Sequence, residues 1–258
     1  HACTLGGLIA SELAATLPDC PAFIADPGVV DELEDIARIT GSPLMPKITI
    51  WHALNQRAIA RRYAAERSAL QPEAPVHYED LNLIVCHLGG GVSVGVHRHG
   101  RAVPNALDGF GPFSPERAGT LPAGQLIDLC HSGRYTTEEL KKRISGKAGL
   151  AALLGTTDIP AIERRIAEGD THAALVLDAM IYRIAKEIGG AAVVLYGKVD
   201  AILLTGGMAH SEYITSRLQE RVSFLAPVHV YPGEDELEAL VMNALGALRG
   251  ELPVQVYR

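Results

Sequence analysis

The amino-acid sequence predicts an α/β fold, because segments with strand periodicity alternate with segments of helical periodicity along the chain. The strands are clearest at 81–87, 92–97 and about 101–105, where apolar residues run together or alternate with small and polar ones. The helix is clearest near the carboxyl end, where apolar residues recur at intervals of three and four: Leu237, Leu240, Val241, Ala244, Leu245 and Leu248.

The remaining elements are placed by the same periodicities and by the turn residues between them. Asp26-Pro27-Gly28 ends a short apolar strand over 21–26, and Gly41 and Pro43 close a short helix over 30–39. Helices are also predicted over 5–16, 50–69, 123–131, 137–144, 158–168, 171–196 and 210–221, and strands over 200–205 and 227–231. The segment 105–122 is rich in glycine and proline, and a loop of this length inside a domain is often functional.

The composition is that of an ordinary globular protein, with 48% hydrophobic and 21% charged residues in a chain of 258. The net charge of -7 provides no basic field for nucleic acid or for an anionic membrane. No uncharged apolar run reaches the ~20 residues needed to cross a bilayer, and no signal peptide is visible. We therefore expect a cytoplasmic protein with neither nucleic acid nor membrane as a partner.

The four cysteines, Cys3, Cys20, Cys86 and Cys130, form no Cys-x-x-Cys pair. This spacing predicts reduced thiols rather than a metal site or a disulfide framework. The apolar surroundings of Cys86 and Cys130 predict that these two side chains are buried.

The segment most informative about function is the triglycine turn, Gly89-Gly90-Gly91, which lies between two predicted strands. Three glycines let backbone N–H groups approach a ligand without interference from Cβ atoms, and a cluster of amides suits an anion such as phosphate. A Rossmann turn or a P-loop would lead into a helix, whereas the residues after Gly91 alternate as a strand does. The turn is therefore expected at a strand–turn–strand corner, as a phosphate loop or as a glycine-rich hairpin without a ligand.

Five stretches resemble the acetokinase family, and within it the butyrate kinase branch. They are 86–93, 105–117, 145–149 with 154–158, 204–211 and 231–240, and they follow the family order over residues 1–258. The run from Gly111 to Arg117, Gly-Pro-Phe-Ser-Pro-Glu-Arg, is the most specific of them.

This resemblance implies a ribonuclease-H-like fold of the actin-like ATPase superfamily, with two domains that close over a cleft. It implies a phosphotransferase that uses ATP and Mg2+ to convert a short-chain carboxylate, such as butyrate or a branched-chain acid, to an acyl phosphate. The reverse reaction would start from acyl phosphate and ADP. The family also suggests a homodimer.

Three residues match the family's catalytic positions: Asp26, His52 and Arg117. The resemblance implies that Asp26 holds magnesium and orients the acyl group, that His52 donates to the transferring phosphoryl group, and that Arg117 neutralises the charge developing there. Each has a structural alternative: an Asp-Pro-Gly turn, a histidine satisfied at a helix start, and a surface arginine paired with Glu116 or solvent.

The nucleotide contacts implied by the resemblance fall on two glycine turns. His87, Gly89, Gly90, Gly91 and Ser93 would line the β- and γ-phosphates. Gly206 and Gly207, between a strand and a helix, would approach the adenosine, with a turn that binds no ligand as the alternative.

The resemblance is incomplete in two places. Phe110 stands where the family usually has an acidic residue, and no residues match the family's amino-terminal phosphate loop or its substrate-carboxylate arginine. We expect residues 1–26 and 233–258 to be the remnant of an incomplete N-terminal acetokinase domain, and residues 27–232 to form the second ribonuclease-H-like domain. A truncated, catalytically inactive nucleotide-binding fragment and a kinase of this superfamily with another acceptor are the alternative functions.

Overall fold

A five-stranded mixed sheet lies at the centre of the computed structural model, which describes residues 5–106, 111–234 and 236–255. Its strands are β1 (Asn82–Leu88), β2 (Val92–Arg98), β3 (Arg101–Ala106), β4 (Ala201–Gly206) and β5 (Val228–Pro232). They lie side by side in the order β3-β2-β1-β4-β5. The β3-β2 and β2-β1 pairs are antiparallel, and the β1-β4 and β4-β5 pairs are parallel. This order and these directions are those of a ribonuclease-H-like sheet.

Helices cover both faces of the sheet. They are α1 (Leu5–Ala14), α2 (Asp35–Arg38), α3 (Ala53–Leu70), α4 (Ala123–His131), α5 (Thr137–Ile144), α6 (Gly149–Leu154), α7 (Ile159–Ala167), α8 (Thr171–Val194), α9 (Glu212–Val222) and α10 (Glu236–Leu248). Helix α8 packs on one face, with α7 and α9 beside it, and α3 packs on the other.

Alternate residues of the central strands supply the two halves of the core. Ile84, Cys86 and Leu88 pack with the apolar side chains of α8. Leu83 and Val85 pack with the apolar side chains of α3. Because both faces are covered, β1 reads as a continuous apolar run although its side chains point alternately to the two sides.

The face of the sheet that meets α3 becomes polar near the carboxyl end of β1. His87 pairs with Ser93 of β2 and with Thr205 of β4, and all three side chains are buried. Buried polar side chains require hydrogen-bond partners, and the first turn of α3 lies over this row.

Both glycine turns leave the sheet at the same edge. Strands β1 and β4 run parallel, so the triglycine turn follows Leu88 while Gly206 and Gly207 follow the neighbouring strand. Ligands of open α/β sheets collect at the carboxyl ends of the strands, so this edge is the place to look for a site.

Two predicted elements near the amino terminus are wrong. No strand forms over 21–26, where no neighbouring strand among the described residues accepts its backbone hydrogen bonds. The helix predicted over 30–39 shrinks to α2, because the Asp31 carboxylate accepts the Leu33 N–H at 3.1 Å and pairs with Arg38 at 2.7 Å. Such side-chain bonds to nearby groups compete with a helix.

The apolar stripes of the two terminal helices are exposed. In α10, Leu237 is 77% exposed and Leu248 is 62% exposed, so the predicted helix is present but its stripe does not pack into the core. In α1, no residue is buried. Helix α6 was not predicted, because it is only six residues long and starts at a glycine.

Two further expectations concern the thiols and the membrane. Cys86 is buried as predicted, whereas the prediction for Cys130 is wrong because α4 lies on the surface with no buried residue. Among the helices of the described ranges, none is both long and apolar enough to cross a bilayer.

Candidate functional site

The loop that was predicted to be irregular folds back onto the triglycine turn. The Ser114 hydroxyl donates to the Gly90 carbonyl at 2.7 Å, and the Glu116 N–H donates to the same carbonyl at 3.2 Å. Ser114 Oγ also accepts the Arg117 N–H at 3.1 Å. These bonds fix the backbone of Arg117 relative to the triglycine turn. The predicted departure from the family at Phe110 lies outside the described residues.

The Arg117 side chain lies directly against Gly91. A Cβ atom at Gly91 would stand 3.1 Å from Arg117 Nε and 3.3 Å from Cζ. The carboxylate of Glu116 lies beside Gly90 instead, where a Cβ would be 3.4 Å from its Cδ. The guanidinium and the triglycine amides therefore face the same space, as a site for phosphoryl oxygens requires.

Two other glycines permit close approaches that a side chain would block. A Cβ at Gly89 would stand 2.7 Å from His87 Nε2. Gly206 has a φ of 92°, in the left-handed region, and a Cβ there would stand 2.6 Å from the Leu88 carbonyl oxygen. Gly206 thus brings the second glycine turn against the end of β1.

His52 lies just before α3 and stacks on His87, with ring centroids 3.8 Å apart and planes 17° apart. Burial, together with the positive charges of His87 and Arg117, lowers the pKa of His52 to about 3. His52 is therefore neutral at physiological pH and has one N–H to offer.

Ser93 and Gln56 decide which nitrogen of His52 carries the proton. Gln56 Nε2 donates to Ser93 Oγ at 2.8 Å, which leaves the Ser93 hydroxyl hydrogen for His52 Nδ1 at 2.7 Å. The Gln56 amide is oriented by His97, whose Nε2 lies 3.1 Å from Gln56 Oε1. His52 Nδ1 is therefore an acceptor, and its proton is on Nε2. Sequence reasoning assigned Ser93 to the phosphates, whereas its hydroxyl is bonded to His52.

His87 connects Asn55 of α3 to Glu234, which follows β5 in the chain. Its Nδ1 lies 2.8 Å from Asn55 Oδ1, and its Nε2 lies 3.2 Å from Glu234 Oε1. The hydrogen bond from His87, together with that from the Gly207 N–H, lowers the pKa of Glu234 below its ordinary value. Glu234 is thus a carboxylate that joins the triglycine turn to Gly207.

The sequence predicted Asp26 at the end of a strand, and this prediction is wrong. Asp26 lies in a turn with a φ of 39°, and its side chain is 9% exposed. It forms an ion pair with Arg57, and Arg61 Nη1 lies 3.8 Å from its Oδ2. Arg117 is close enough to His52 for its charge to lower the pKa of that histidine, so the structure brings these two predicted catalytic residues together. The ion-pair partners of the third, Asp26, are on α3.

The Asp26 carboxylate fits a magnesium ion that is bound together with a nucleotide. Asp26 Oδ2 is buried without a hydrogen-bond partner, so one carboxylate oxygen can accept a further ligand. Within 5–106, 111–234 and 236–255, no three His, Cys, Asp or Glu side chains form a cage for a metal. Mg2+ normally takes one or two carboxylates and completes its shell with phosphate and water.

Sequence reasoning missed the residues that hold the site together. They are Asn55, Gln56, Ser114, Glu116 and Glu234. Asn55 and Gln56 had a detectable signal, since both lie on the helix that follows His52 at positions that must face a sheet. Glu234 had none, because nothing in its local sequence indicates that it contacts β1.

A comparison with protein families gives one match, in which the model of the acetokinase family covers residues 59–231. This match spans more than half of the chain. The chain belongs to the acetokinase family. The membership predicted from the five sequence stretches is therefore confirmed.

Two relatives in the family are described as probable butyrate kinases. One, from Bacteroides thetaiotaomicron, is 73% identical over 260 residues, which cover 100% of this chain and 72% of that protein. The other, from Phocaeicola vulgatus, is 56% identical and is covered over 71% of its length. The chain is thus shorter than both relatives.

Solved acetokinase-family structures share the fold. The acetate kinase of Porphyromonas gingivalis superposes with a TM-score of 0.79 at 20% identity, over 95% of this chain and 68% of that one. The acetate kinase of Entamoeba histolytica gives 0.69 at 19% identity, over 83% and 63%. At these identities the matches show the fold, and the predicted ribonuclease-H-like, actin-like ATPase architecture is confirmed.

Proposed function

We propose that this acetokinase-family protein transfers a phosphoryl group from ATP to a short-chain carboxylate, butyrate or a branched-chain acid, and catalyses the reverse reaction from acyl phosphate and ADP. The observation that carries the proposal is the close approach of Arg117 to Gly91, near a neutral His52 whose pKa is lowered by burial and by the charges of His87 and Arg117. Relatives described as probable butyrate kinases support the choice of acceptor.

The two glycine turns would hold the nucleotide. The amides of Gly89, Gly90 and Gly91 would face the β- and γ-phosphates, because no side chain separates them from that space. Gly206 and Gly207 would approach the adenosine at the neighbouring strand end.

Arg117 and His52 would act on the transferring group. A carboxylate nucleophile and a γ-phosphate repel one another, so catalysis consists mainly of alignment and charge neutralisation. The Arg117 guanidinium can donate two parallel hydrogen bonds to equatorial oxygens, and His52 Nε2–H can donate a third. His52 donates without losing its proton, since Ser93 fixes its tautomer.

Asp26 would be the protein ligand of Mg2+, which would supply positive charge to the phosphates. Arg57 and Arg61 orient the Asp26 carboxylate and leave Oδ2 for a ligand. In this proposal Asp26 would also orient the acyl group.

We further propose that residues 27–232 form one ribonuclease-H-like domain and that 1–26 and 233–258 belong to another. Exposed apolar side chains on α1 and α10 support the division, because they are unlike the buried stripes of α3 and α8. We also propose a homodimer, as the family suggests, and a cytoplasmic location, as the sequence predicts.

The proposal is tested by trapping the product. The intact protein is incubated with ATP, Mg2+ and hydroxylamine, together with acetate, butyrate or isobutyrate, and hydroxamate is measured. We expect hydroxamate with at least one acid, and the preferred acid identifies the acceptor. ATP binding by calorimetry without any hydroxamate would instead support an inactive nucleotide-binding protein or a kinase with another acceptor.

A further inference from the structure

A row of buried hydrogen bonds runs from the backbone after β5 to the triglycine turn. Thr205 Oγ1 donates to the Gly233 carbonyl at 3.2 Å, and Asn55 Nδ2 approaches Thr205 Oγ1 at 3.5 Å. Asn55 Oδ1 then faces His87 Nδ1 at 2.8 Å, and His87 Nε2 faces the Glu234 carboxylate at 3.2 Å.

The Thr205 hydroxyl sets the direction of the hydrogen bonds along this row. The single hydrogen of the Thr205 hydroxyl is used on Gly233, so its oxygen can only accept from Asn55. The Asn55 amide must then present its oxygen to His87, and an amide oxygen cannot donate. His87 Nδ1 therefore carries a hydrogen. The carboxylate of Glu234 requires a second one on Nε2.

We propose that Glu234 and Asn55 hold His87 as an imidazolium, and that this buried positive charge forms the floor of the phosphate site. His87 is 2% exposed, and its Nε2 lies directly beneath Gly89. Glu234 acts through His87 and is a positioning residue. The inference rests on the proposed function only for the identity of the anion, which is a nucleotide phosphate.

The charged and titratable groups around His87 act in both directions, and the direct contact with Glu234 favours this assignment. Glu234 is the anion that faces it, and its own proton affinity is reduced by the contact. His52 stacks on it as a neutral ring, so the pair holds one positive charge rather than two. Arg117, beside Gly91, is a second cation and disfavours a charge on His87, while the carboxylate of Glu116 lies beside Gly90.

The positive floor explains how a chain of net charge -7 attracts a polyphosphate to this edge. The triglycine turn contains no lysine, unlike a P-loop, so the fixed charges of the site come from Arg117 beside the turn and, in this proposal, from His87 beneath it. Because Glu234 also contacts the Gly207 N–H, the same carboxylate joins the floor of the phosphate site to the turn assigned to adenosine.

The protonation state is measured by 15N NMR of histidine-labelled protein without nucleotide at pH 7.5, with His87 assigned by loss of its signals in His87→Asn. We expect both ring nitrogens of His87 to show the 15N chemical shift of a protonated nitrogen, whereas only one ring nitrogen of His52 should do so. A single proton on His87 in the unsubstituted protein would overturn the proposal. That result would arise if Asn55 were rotated so that its NH2 faced His87.

The role of the charge is measured with Glu234→Gln, with Glu234→Asp as the conservative variant and Glu220→Gln as a control at an exposed helix position. We expect Glu234→Gln to neutralise His87 and to raise the Kd for ADP about tenfold, the size of one charge-assisted contact. Glu234→Asp should keep the imidazolium signals, and Glu220→Gln should change neither. An unchanged Kd in Glu234→Gln would contradict the proposal.

These results are separable from the proposed function. If His87 is an imidazolium but the protein forms no hydroxamate, the inference about His87 stands and the carboxylate acceptor of the proposed function is rejected. The protonation state itself is read on the unsubstituted protein, and His87→Asn serves only to assign the signals.

Discussion

At the scale of single residues, the site depends on how closely side chains approach glycine. Arg117 packs against Gly91 so tightly that a Cβ there would stand 3.1 Å from Nε, which forces the guanidinium to shift by a few tenths of an ångström. Misplacement of a catalytic group by about 1 Å can cost ~100-fold in rate. Under the proposed function, a side chain at Gly91 would therefore disturb catalysis more than folding.

We predict that Gly91→Ala lowers kcat about tenfold or more while the melting temperature changes little, because the shift is confined to one side chain. Gly190→Ala is the matched control, since nothing lies within 4 Å of a Cβ at this position of α8. Steady-state kinetics and thermal melts of both variants test this. A Gly91→Ala protein with normal kcat would show that Arg117 need not contact the turn.

At the scale of elements, α3 is the scaffold of the site. Its beginning places His52, Asn55 and Gln56 over the polar end of the sheet, while its next turns supply apolar side chains to the core. One helix therefore changes from site to core within about two turns. His97 belongs to the same layer, bonded to Gln56 and, at 2.6 Å, to the Tyr78 hydroxyl.

This layer predicts a pH dependence of stability. Burial lowers the pKa of His97 to about 3, and that of His52 falls to a similar value, against an ordinary value of 6.5. Below pH 6.5 the unfolded chain binds more protons at these two sites than the folded one, so the free energy of unfolding falls as the pH falls. The slope is roughly 1.4 kcal/mol per pH unit for each histidine.

Urea unfolding at pH 6.0 and pH 5.0 measures the effect, and the transition midpoint should be lower at pH 5.0. His97→Asn, which removes one of the two groups, should show a smaller difference between the two pH values. Equal midpoints for the unsubstituted protein would mean that these histidines are not held neutral.

The elements that could be predicted from the sequence are those set by local pattern. Strands β1, β2 and β4 and helices α4 and α5 carry their own periodicity, so their bounds were found to within a residue or so. The strand over 21–26 failed because a strand needs a partner that local sequence does not reveal. The short helix failed because one side chain, Asp31, redirected its backbone.

The residues of the site likewise fall into those that local sequence predicts and those that depend on distant contacts. The triglycine turn and Arg117 could be predicted because each lies in a run with a recognisable composition. Glu234 could not, since its contact with His87 joins positions far apart in the chain. Such pairs become visible only when the sheet order is known.

At the scale of the whole molecule, the site is assembled where parallel strands β1 and β4 end. The triglycine turn, the Ser114–Arg117 loop and Glu234 meet there from separate parts of the chain. The two halves of the core lie beneath this edge, while exposed apolar side chains of α1 and α10 lie outside the core.

The central claim is that Arg117 and the triglycine turn stabilise a phosphoryl group in transfer to a carboxylate. The most direct measurement is the turnover of Arg117→Ala in the intact protein, with butyrate, ATP and Mg2+, compared with Arg164→Ala at an exposed position of α7. We predict that Arg117→Ala lowers kcat by roughly 10²–10³, the effect of removing one charge-stabilising donor, with an unchanged melting temperature. Arg164→Ala should retain normal turnover. A normal kcat in Arg117→Ala would contradict the account.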